Sequence, residues 1–380
     1  MDLDRRKFLT GVGTATTVGL AGCTGGGDNN NGGNGGNGGG NGGGGDGGDE
    51  DTATATPEAA AHIGMVYATG GLGDGSFNDQ AQSGAQRAAE ELNIAFDEAQ
   101  PDEVSQFSTF QQQFAQSSSP NYDLVSCIGF LQASALSENA PQYPEQNFQI
   151  IDSVVEEPNV ASYVFAEHEG SFLVGHLAGL LTTQSFSAGA GSTQSDSTNL
   201  GFVGGVESPL IKKFEAGFTA GAKYASDDID IQTAYVGDFN DPSGGREAAL
   251  SMYQSGSDIV YHAAGNTGTG VFQAAQEQGR FAIGVDRDQS VTKPSYADVI
   301  LASMVKRVDV AVYNAIEATV NAEFGGGTVT ALGLKDDGVA NVYGKQLGSE
   351  IPQEVKDAVA QSREDIIAGE IDVPTDPKNA

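Results

Sequence analysis

A strand that breaks into glycine-rich backbone and then a helix leaves few architectures open, and this chain makes that move repeatedly. The first case is the apolar run Ile63–Tyr67, then Gly71-Leu-Gly-Asp-Gly-Ser-Phe-Asn-Asp79, then a small-residue helix over Gln80–Leu92 with Arg87, Glu90 and Glu91 facing outward. Further strands are predicted at Ile94–Phe96, Leu124–Ile128, Phe148–Val154 and Val160–Phe165. Helices are predicted at Phe107–Ser117, Gln132–Asn139 and Glu169–Thr182. After a polar break, Ser185–Asn199, the series restarts. Strands at Asn199–Val203, Ile231–Val236, Ile259–Ala263, Phe281–Val285 and Val299–Met304 alternate with helices at Leu210–Ala225, Gly244–Gln254, Gly268–Gln278 and Asp309–Ala322. Two such series predict an α/β protein of two doubly wound, three-layer lobes. The expected first lobe is 59–165 with about 288–322; the expected second is 166–287 with about 323–380.

Ligands in such folds sit beyond the carboxyl ends of the strands, and the unusual residues gather there. Glycines let backbone approach a ligand, and a helix N-terminus offers unpaired N–H groups. Phe77 is an aromatic ring in a polar turn, either a stacking surface or a residue folded into the core. Tyr235-Val-Gly-Asp-Phe239-Asn-Asp-Pro-Ser-Gly-Gly245 repeats the arrangement, so Phe77 and Phe239 are equivalent features of the two lobes. Facing aromatics would hold a flat ring. Two more mouths are Ala263-Ala-Gly-Asn-Thr-Gly-Thr-Gly270 and Ile283-Gly-Val-Asp286-Arg-Asp-Gln289. Asp286 can accept two hydrogen bonds from a vicinal diol or act as an N-cap. Lys306 is a cation at another strand end, or a solvated surface lysine.

The N-terminus reads as an address. Arg5-Arg6-Lys7-Phe8-Leu9 is a twin-arginine pattern, followed by a short apolar run and Leu20-Ala-Gly-Cys23. The run is too short to span a membrane. Residues 1–22 are therefore expected to be a signal, and Cys23 resembles the lipidated cysteine of a lipobox. Residues 23–58, rich in Gly, Asn and Asp, cannot bury apolar area and are expected to form a disordered tether of about 30–35 Å. The protein would then sit on the extracellular face of the cell membrane, lipid-anchored.

The formal charge of −33 repels phosphate backbones and argues against nucleic acid as a partner. Acid spread along the whole body, with few lysines, fits a high-salt habitat where screening relieves self-repulsion. Apart from Cys23, the remaining cysteine is Cys127, in a strand-like run, and reads as a small core residue. The four histidines make no HExxH or comparable pair, so no metal is expected. Enzyme signatures are missing too. The first glycine run is G-x-G-x-G rather than G-x-G-x-x-G, and there is no G-x-S-x-G elbow or Walker A motif. No nucleophile and base are paired in any recognisable spacing. The protein is therefore read as a non-enzyme without a cofactor.

Taken in order, the motifs resemble the basic membrane protein family of substrate-binding lipoproteins, the nucleoside-binding proteins of ABC transporters. The resemblance covers most of Ala61 to Gly344. It rests on the Gly73–Asn78 turn, Glu169-Gly-Ser-Phe-Leu-Val-Gly-His-Leu-Ala-Gly179, Gly201-Phe-Val-Gly-Gly205 and Phe214-Glu-Ala-Gly-Phe218. It rests also on Phe239–Gly245, Gly284–Gln289 and Ser303-Met-Val-Lys-Arg-Val-Asp309. The resemblance implies a periplasmic-binding-protein-like type I fold that closes on a purine nucleoside, a monomer working with the permease and ATPase subunits of an ABC importer. It implies the base between Phe77 and Phe239, ribose hydroxyls on Asp286 and Lys306, and Asp74, Asn78 and Gly245 lining the cleft. Family members commonly place an acid after the strand end that corresponds to Gly129-Phe130, where it reads the base edge; the nearest position here is Ser134. The Gln132-Ala-Ser134 turn is expected to contact the base in its place. The alternative is the same fold holding a sugar or other small solute, or serving as a ligand sensor.

Overall fold

The computed structural model describes residues 58–194 and 197–380. The signal, Cys23 and nearly all of the tether lie outside the described residues. In chain order the first elements are β1 (His62–Val66), α1 (Phe77–Leu92), β2 (Ala95–Ala99), α2 (Phe107–Gln116), β3 (Leu124–Cys127), α3 (Ala133–Asn139), β4 (Asn147–Ile151) and β5 (Val160–Phe165). There follow α4 (Glu167–Thr182) and a small hairpin, β6 (Ser187–Ala188) and β7 (Gly191–Ser192), inside the predicted polar break. The second series is β8 (Asn199–Gly204), α5 (Pro209–Ala225), β9 (Asp230–Tyr235), α6 (Pro242–Gln254), β10 (Ser257–Ala263), α7 (Gly268–Gln278), β11 (Phe281–Asp286), α8 (Gln289–Thr292) and β12 (Ile300–Lys306). The chain ends with α9 (Val308–Val320), β13 (Val329–Leu332), β14 (Val339–Tyr343) and α10 (Gln353–Ala368).

Local chemistry accounts for these elements. α1 buries Ala81, Gly84, Ala85 and Ala88 at helical spacing and stops at Asn93 in the left-handed region, φ 56°. α5 and α6 begin alike: Ser208 or Asp241 accepts a backbone N–H from three residues on, and proline follows at the first helical position. β3 and β10 are buried along their whole length, as parallel strands covered on both faces must be. Among the described residues no helix is long and apolar enough to cross a membrane.

The two sheets share one strand order and differ in the direction of the last strand. The first has the order β13-β5-β4-β3-β1-β2 and the second β14-β12-β11-β10-β8-β9. All pairings are parallel except β12 with β14. In each lobe the strand order reverses beside the first strand, which is where a doubly wound sheet opens a crevice.

The lobe boundaries differ from those expected. β12 lies in the second sheet, not in the first lobe: it is buried throughout and pairs Ile283 with Ala302 and Asp286 with Val305. The chain crosses only after it, so that α9 packs on α1 of the first lobe. β13 then pairs with β5, Val329 beside Ser162 and Leu332 beside Phe165, which puts part of 323–380 in the first lobe. The crossings therefore fall at Ala166, Arg307 and 333–338. Ala166 and Arg307 share one backbone conformation, φ −87° and ψ 63° against φ −81° and ψ 58°.

Candidate functional site

The carboxyl ends of the two sheets meet around one cleft, lined from both lobes. Asp74, Phe77, Asn78, Phe239, Asp286 and Lys306 all line it. Ser134 and Gly245 do not.

The turn between β1 and α1 is tied by its own carboxylates. Asp74 accepts the N–H groups of Ser76 (2.8 Å), Asn78 (2.9 Å) and Asp79 (3.2 Å). Asp79 accepts those of Gly73 (2.7 Å) and Gly75 (2.8 Å). Asp74 therefore caps α1, and burial outweighs these donors to push its carboxyl up to about 6. Asn78 accepts the Ala68 N–H at 2.9 Å and so fastens the strand end to the helix. Between them these residues present Phe77, half-buried, with the Lys306 ammonium 4.8 Å from its ring centroid.

From the other lobe comes Phe239. Its ring lies where a side chain at position 205 would be: a Cβ on Gly205 would fall 2.4 Å from Cδ1 and Cε1. Phe130, at the end of β3, meets it edge-on at 6.4 Å and 83°. Phe130 and Leu131 line the cleft just beyond β3, whereas Ser134, expected to stand in for the family's acid, does not. Ser134 is exposed on the second residue of α3. Gln132 does not read a base edge either, because its amide is fully engaged. Nε2 donates to the Val66 carbonyl (2.7 Å) and the Ile128 carbonyl (2.9 Å), and Oε1 accepts from Gln111 (3.2 Å). Gly245 packs helix against loop: a Cβ there would lie 2.1 Å from the Thr267 carbonyl oxygen.

The floor is polar and buried. Lys306, 2 % exposed, is neither solvated nor on the surface. Its Nζ lies 2.6 Å from Asp152 Oδ2 across the lobes and 3.8 Å from Glu167 Oε1. Burial alone would lower the lysine pKa, but Asp152, Glu167 and Asp286 together hold it above its ordinary value. Burial raises Glu167 against the pull of Lys306. Asp286 is also raised by burial, opposed by Lys306 and by the Ser76 hydroxyl, which donates to Oδ2 at 2.5 Å. Asp286 is no N-cap: Asp288 caps α8 through the Ser290 N–H. Asp286 instead centres a tight turn, φ 63°, closed by the Arg287 N–H on the Val285 carbonyl at 2.7 Å. That is the rarer, strained hand of γ-turn, and strain of this kind collects at functional positions.

Across the lobes, the Gly75 carbonyl accepts from Thr292 (2.8 Å) and Gln289 (3.4 Å). The lobes are thus in contact at the rim and at the floor. Sequence reasoning missed Asp152, Glu167, Ser76 and Phe214. Asp152 follows Phe148-Gln-Ile-Ile151 just as Asp286 follows its own strand, a signal hidden by running the predicted strand on to Val154.

The arrangement is one of two hydrophobic, aromatic-bearing walls over a carboxylate and ammonium floor. Residues 61–376 match the family of PnrA-like ABC transporter substrate-binding proteins, Bmp. The chain is 33 % identical over 332 residues to a protein of Lactococcus lactis named as the ABC transporter nucleoside-binding protein BmpA, covering 82 % of this chain and 88 % of that one. It is 36 % identical over 300 residues to an uncharacterized lipoprotein of Pyrococcus abyssi, covering 76 % and 70 %. An ABC transporter system solute-binding protein of Aeropyrum pernix superposes with a TM-score of 0.72 at 30 % identity, covering 83 % of this chain and 93 % of the other. The fold is accordingly the periplasmic-binding-protein-like one of ABC solute-binding proteins, and the chain belongs to the Bmp family of ABC transporter substrate-binding proteins.

Proposed function

We propose that this protein captures a nucleoside, of the purine class, in the interlobe cleft and delivers it to the permease and ATPase subunits of an ABC importer. The observation that carries this reading is that Phe77 and Phe239, from opposite lobes, line one cleft with Asp286 and Lys306. Flat rings suit the walls, and a ribose diol suits a buried carboxylate beside an ammonium. The name of the Lactococcus relative supports the same ligand class. Asp74 and Asn78 act by fixing the turn that bears Phe77. The role is binding rather than turnover, as the family's role is solute capture. Cys23 is the lipid attachment point after twin-arginine export, holding a monomer at the outer face of the membrane through the 23–58 tether. The acid excess adapts the body to high salt. Calorimetric titration of purine and pyrimidine nucleosides in molar KCl tests the reading. Saturable binding of a purine nucleoside is expected, and binding of a free sugar with none of any nucleoside would refute it.

A further inference from the structure

Glu167 does not line the cleft, yet it is fully buried directly behind the floor. It is the first residue of α4 and follows the crossing at Ala166. Lys306 is the last residue of β12 and precedes the crossing at Arg307. The two side chains thus stand at the roots of two of the three connections between the lobes, and both belong to the second lobe. Asp152, just past the end of β4, belongs to the first.

Lys306 is shared unequally between these carboxylates. Its Nζ lies 2.6 Å from Asp152 Oδ2 but 3.8 Å from Glu167 Oε1, beyond hydrogen-bonding distance. Glu167 Oε1 is buried and has no hydrogen-bond partner among the described residues, an unfavourable state for an ionised oxygen. Around Glu167 stand Lys306 of β12, Asp152 of the first lobe, Lys213 of α5, 3.4 Å from Oε2, and the Tyr261 hydroxyl of β10. Asp286 of β11 faces the same ammonium. His168, next along α4, is held down to about 4 by burial and is neutral. Burial raises the Glu167 carboxyl to about 7, with Lys306 and Lys213 opposing the rise and Asp152 adding to it.

Opening the lobes carries Asp152 away with the first sheet, whereas Glu167, Lys213 and Lys306 move together. The freed ammonium then has a carboxylate of its own lobe within a short side-chain movement, and that carboxylate has an oxygen to fill. We propose that Glu167 is the open-state partner of Lys306: closure on a ligand transfers the ammonium to Asp152, Glu167 takes up a proton from solvent, and capture therefore tightens as the medium turns acid. This rests on the nucleoside reading above. The sign follows from linkage. The closed form binds the extra proton, the ligand selects the closed form, and so protons and ligand favour each other. Glu167 acts through Lys306 and is a positioning residue.

The experiment is calorimetric titration of adenosine in molar KCl, on the wild type and on Glu167→Gln. At pH 7 it is run in Pipes, Hepes and Tris, so that the dependence of the observed heat on buffer ionisation counts the protons taken up. At pH 5.5 and 8.5 it reads affinity. Thermal melts check that the variant folds. With the carboxyl at its ordinary 4.5 when open and at about 7 when closed, the wild type is expected to take up about half a proton at pH 7. It is expected to bind about tenfold or more tightly at pH 5.5 than at pH 8.5. Glu167→Gln is expected to lose most of that uptake and most of the pH dependence. It is also expected to bind more tightly than the wild type at pH 8.5, because the open form has lost its partner for Lys306; a merely structural residue would give no such gain. A wild type that binds adenosine without proton uptake at pH 7 overturns the proposal even if the variant does not fold. So does equal uptake by both proteins, or a variant that binds more weakly than the wild type at pH 8.5. A wild type that binds no nucleoside overturns the functional reading and this inference with it, whereas binding without proton uptake overturns this inference alone.

Discussion

Replacing Lys306 by methionine removes the positive charge from the floor and leaves the shape nearly unchanged. Asp152, Glu167 and Asp286 then stand together, the side chains of the first two 4 % and 0 % exposed, with Asp152 and Asp286 stripped of their cation and Glu167 left to Lys213, 3.4 Å from Oε2. Breaking a buried pair by deleting one partner costs about 3–5 kcal/mol, because the other charge stays buried. For a body of about 320 residues, with an unfolding entropy of about 0.7 kcal/mol/K, that lowers the melting temperature by about 4–8 °C. The sign of the pH dependence follows from the carboxylates. Without Lys306 the folded-state pKa values of Glu167 and Asp286, which burial already raises, lie further above the unfolded ones, so the folded form binds protons more readily. Stability is then retained below the unfolded carboxylate range and lost as pH rises through the raised values. The gap between variant and wild type is therefore expected to be narrow near pH 4 and still to be widening at pH 7, since burial holds Glu167 at about 7 even with Lys306 in place. Circular dichroism melts at pH 4.5, 6 and 7.5 in molar KCl measure it. A second change, Glu167→Gln, removes one of the stranded charges and is expected to restore part of the loss. A Lys306→Met protein that melts with the wild type at pH 7.5, or a gap that does not vary with pH, would refute the reasoning.

Phe77→Ala and Phe239→Ala are each expected to weaken nucleoside binding about 5- to 150-fold with melting temperature nearly kept; unchanged affinity in both would place the ligand elsewhere. Gly221→Ala places a Cβ 2.0 Å from the Phe172 carbonyl oxygen, so α4 and α5 must move apart, and a melting temperature lowered by several degrees is expected; an unshifted melt would show that the pair can give way. His262 is fully buried, and burial holds its pKa down to about 4. The unfolded chain takes a proton that the folded one refuses, so stability falls as pH drops from about 6.5 towards 4. Imidazole NMR at pH 5 is expected to show a neutral ring protonated on Nε2, which faces Gln289 Oε1 at 2.9 Å, and a charged ring would contradict it. Cys23→Ala is expected to release a folded protein from the membrane, and fractionation with the membrane would count against the anchor.

Much of this was legible in the sequence because strand ends carry their own marks. Glycine runs with a lone phenylalanine located both walls, and Asp286 and Lys306 were found as polar residues ending apolar strands. The failures share a physical cause: they depend on what lies across the fold. Ser134 is near Gly129-Phe130 in sequence, yet a 3-10 turn at Phe130–Gln132 starts the helix so that Ser134 faces solvent. Gly245 sits in the right loop but serves helix packing. Nothing local says that Glu167, the first residue of α4, ends up beside a lysine from β12. β13 and β14 are half-exposed strands of four and five residues, too short for a period to show. The lobe boundary erred for the same reason, since only pairing partners assign a strand to a sheet.

The crossings at Arg307 and 333–338 bear on how the protein is made. When synthesis has passed β5, the first lobe still lacks α9, which lies so close on α1 that a Cβ at Gly84 would fall 2.4 Å from the Asp309 carbonyl oxygen. It also lacks β13, the partner for the outer edge of β5. The Gln80, Gly84, Arg87 and Glu91 face of α1, which meets Asp309 and Tyr313 of α9, and one strand edge therefore stay open until the whole of β8 to β12 has been added. A nascent first half is an unfinished body that presents an edge for wrong pairing. Cutting the gene between β5 and α4 is expected to give two fragments, neither of which folds.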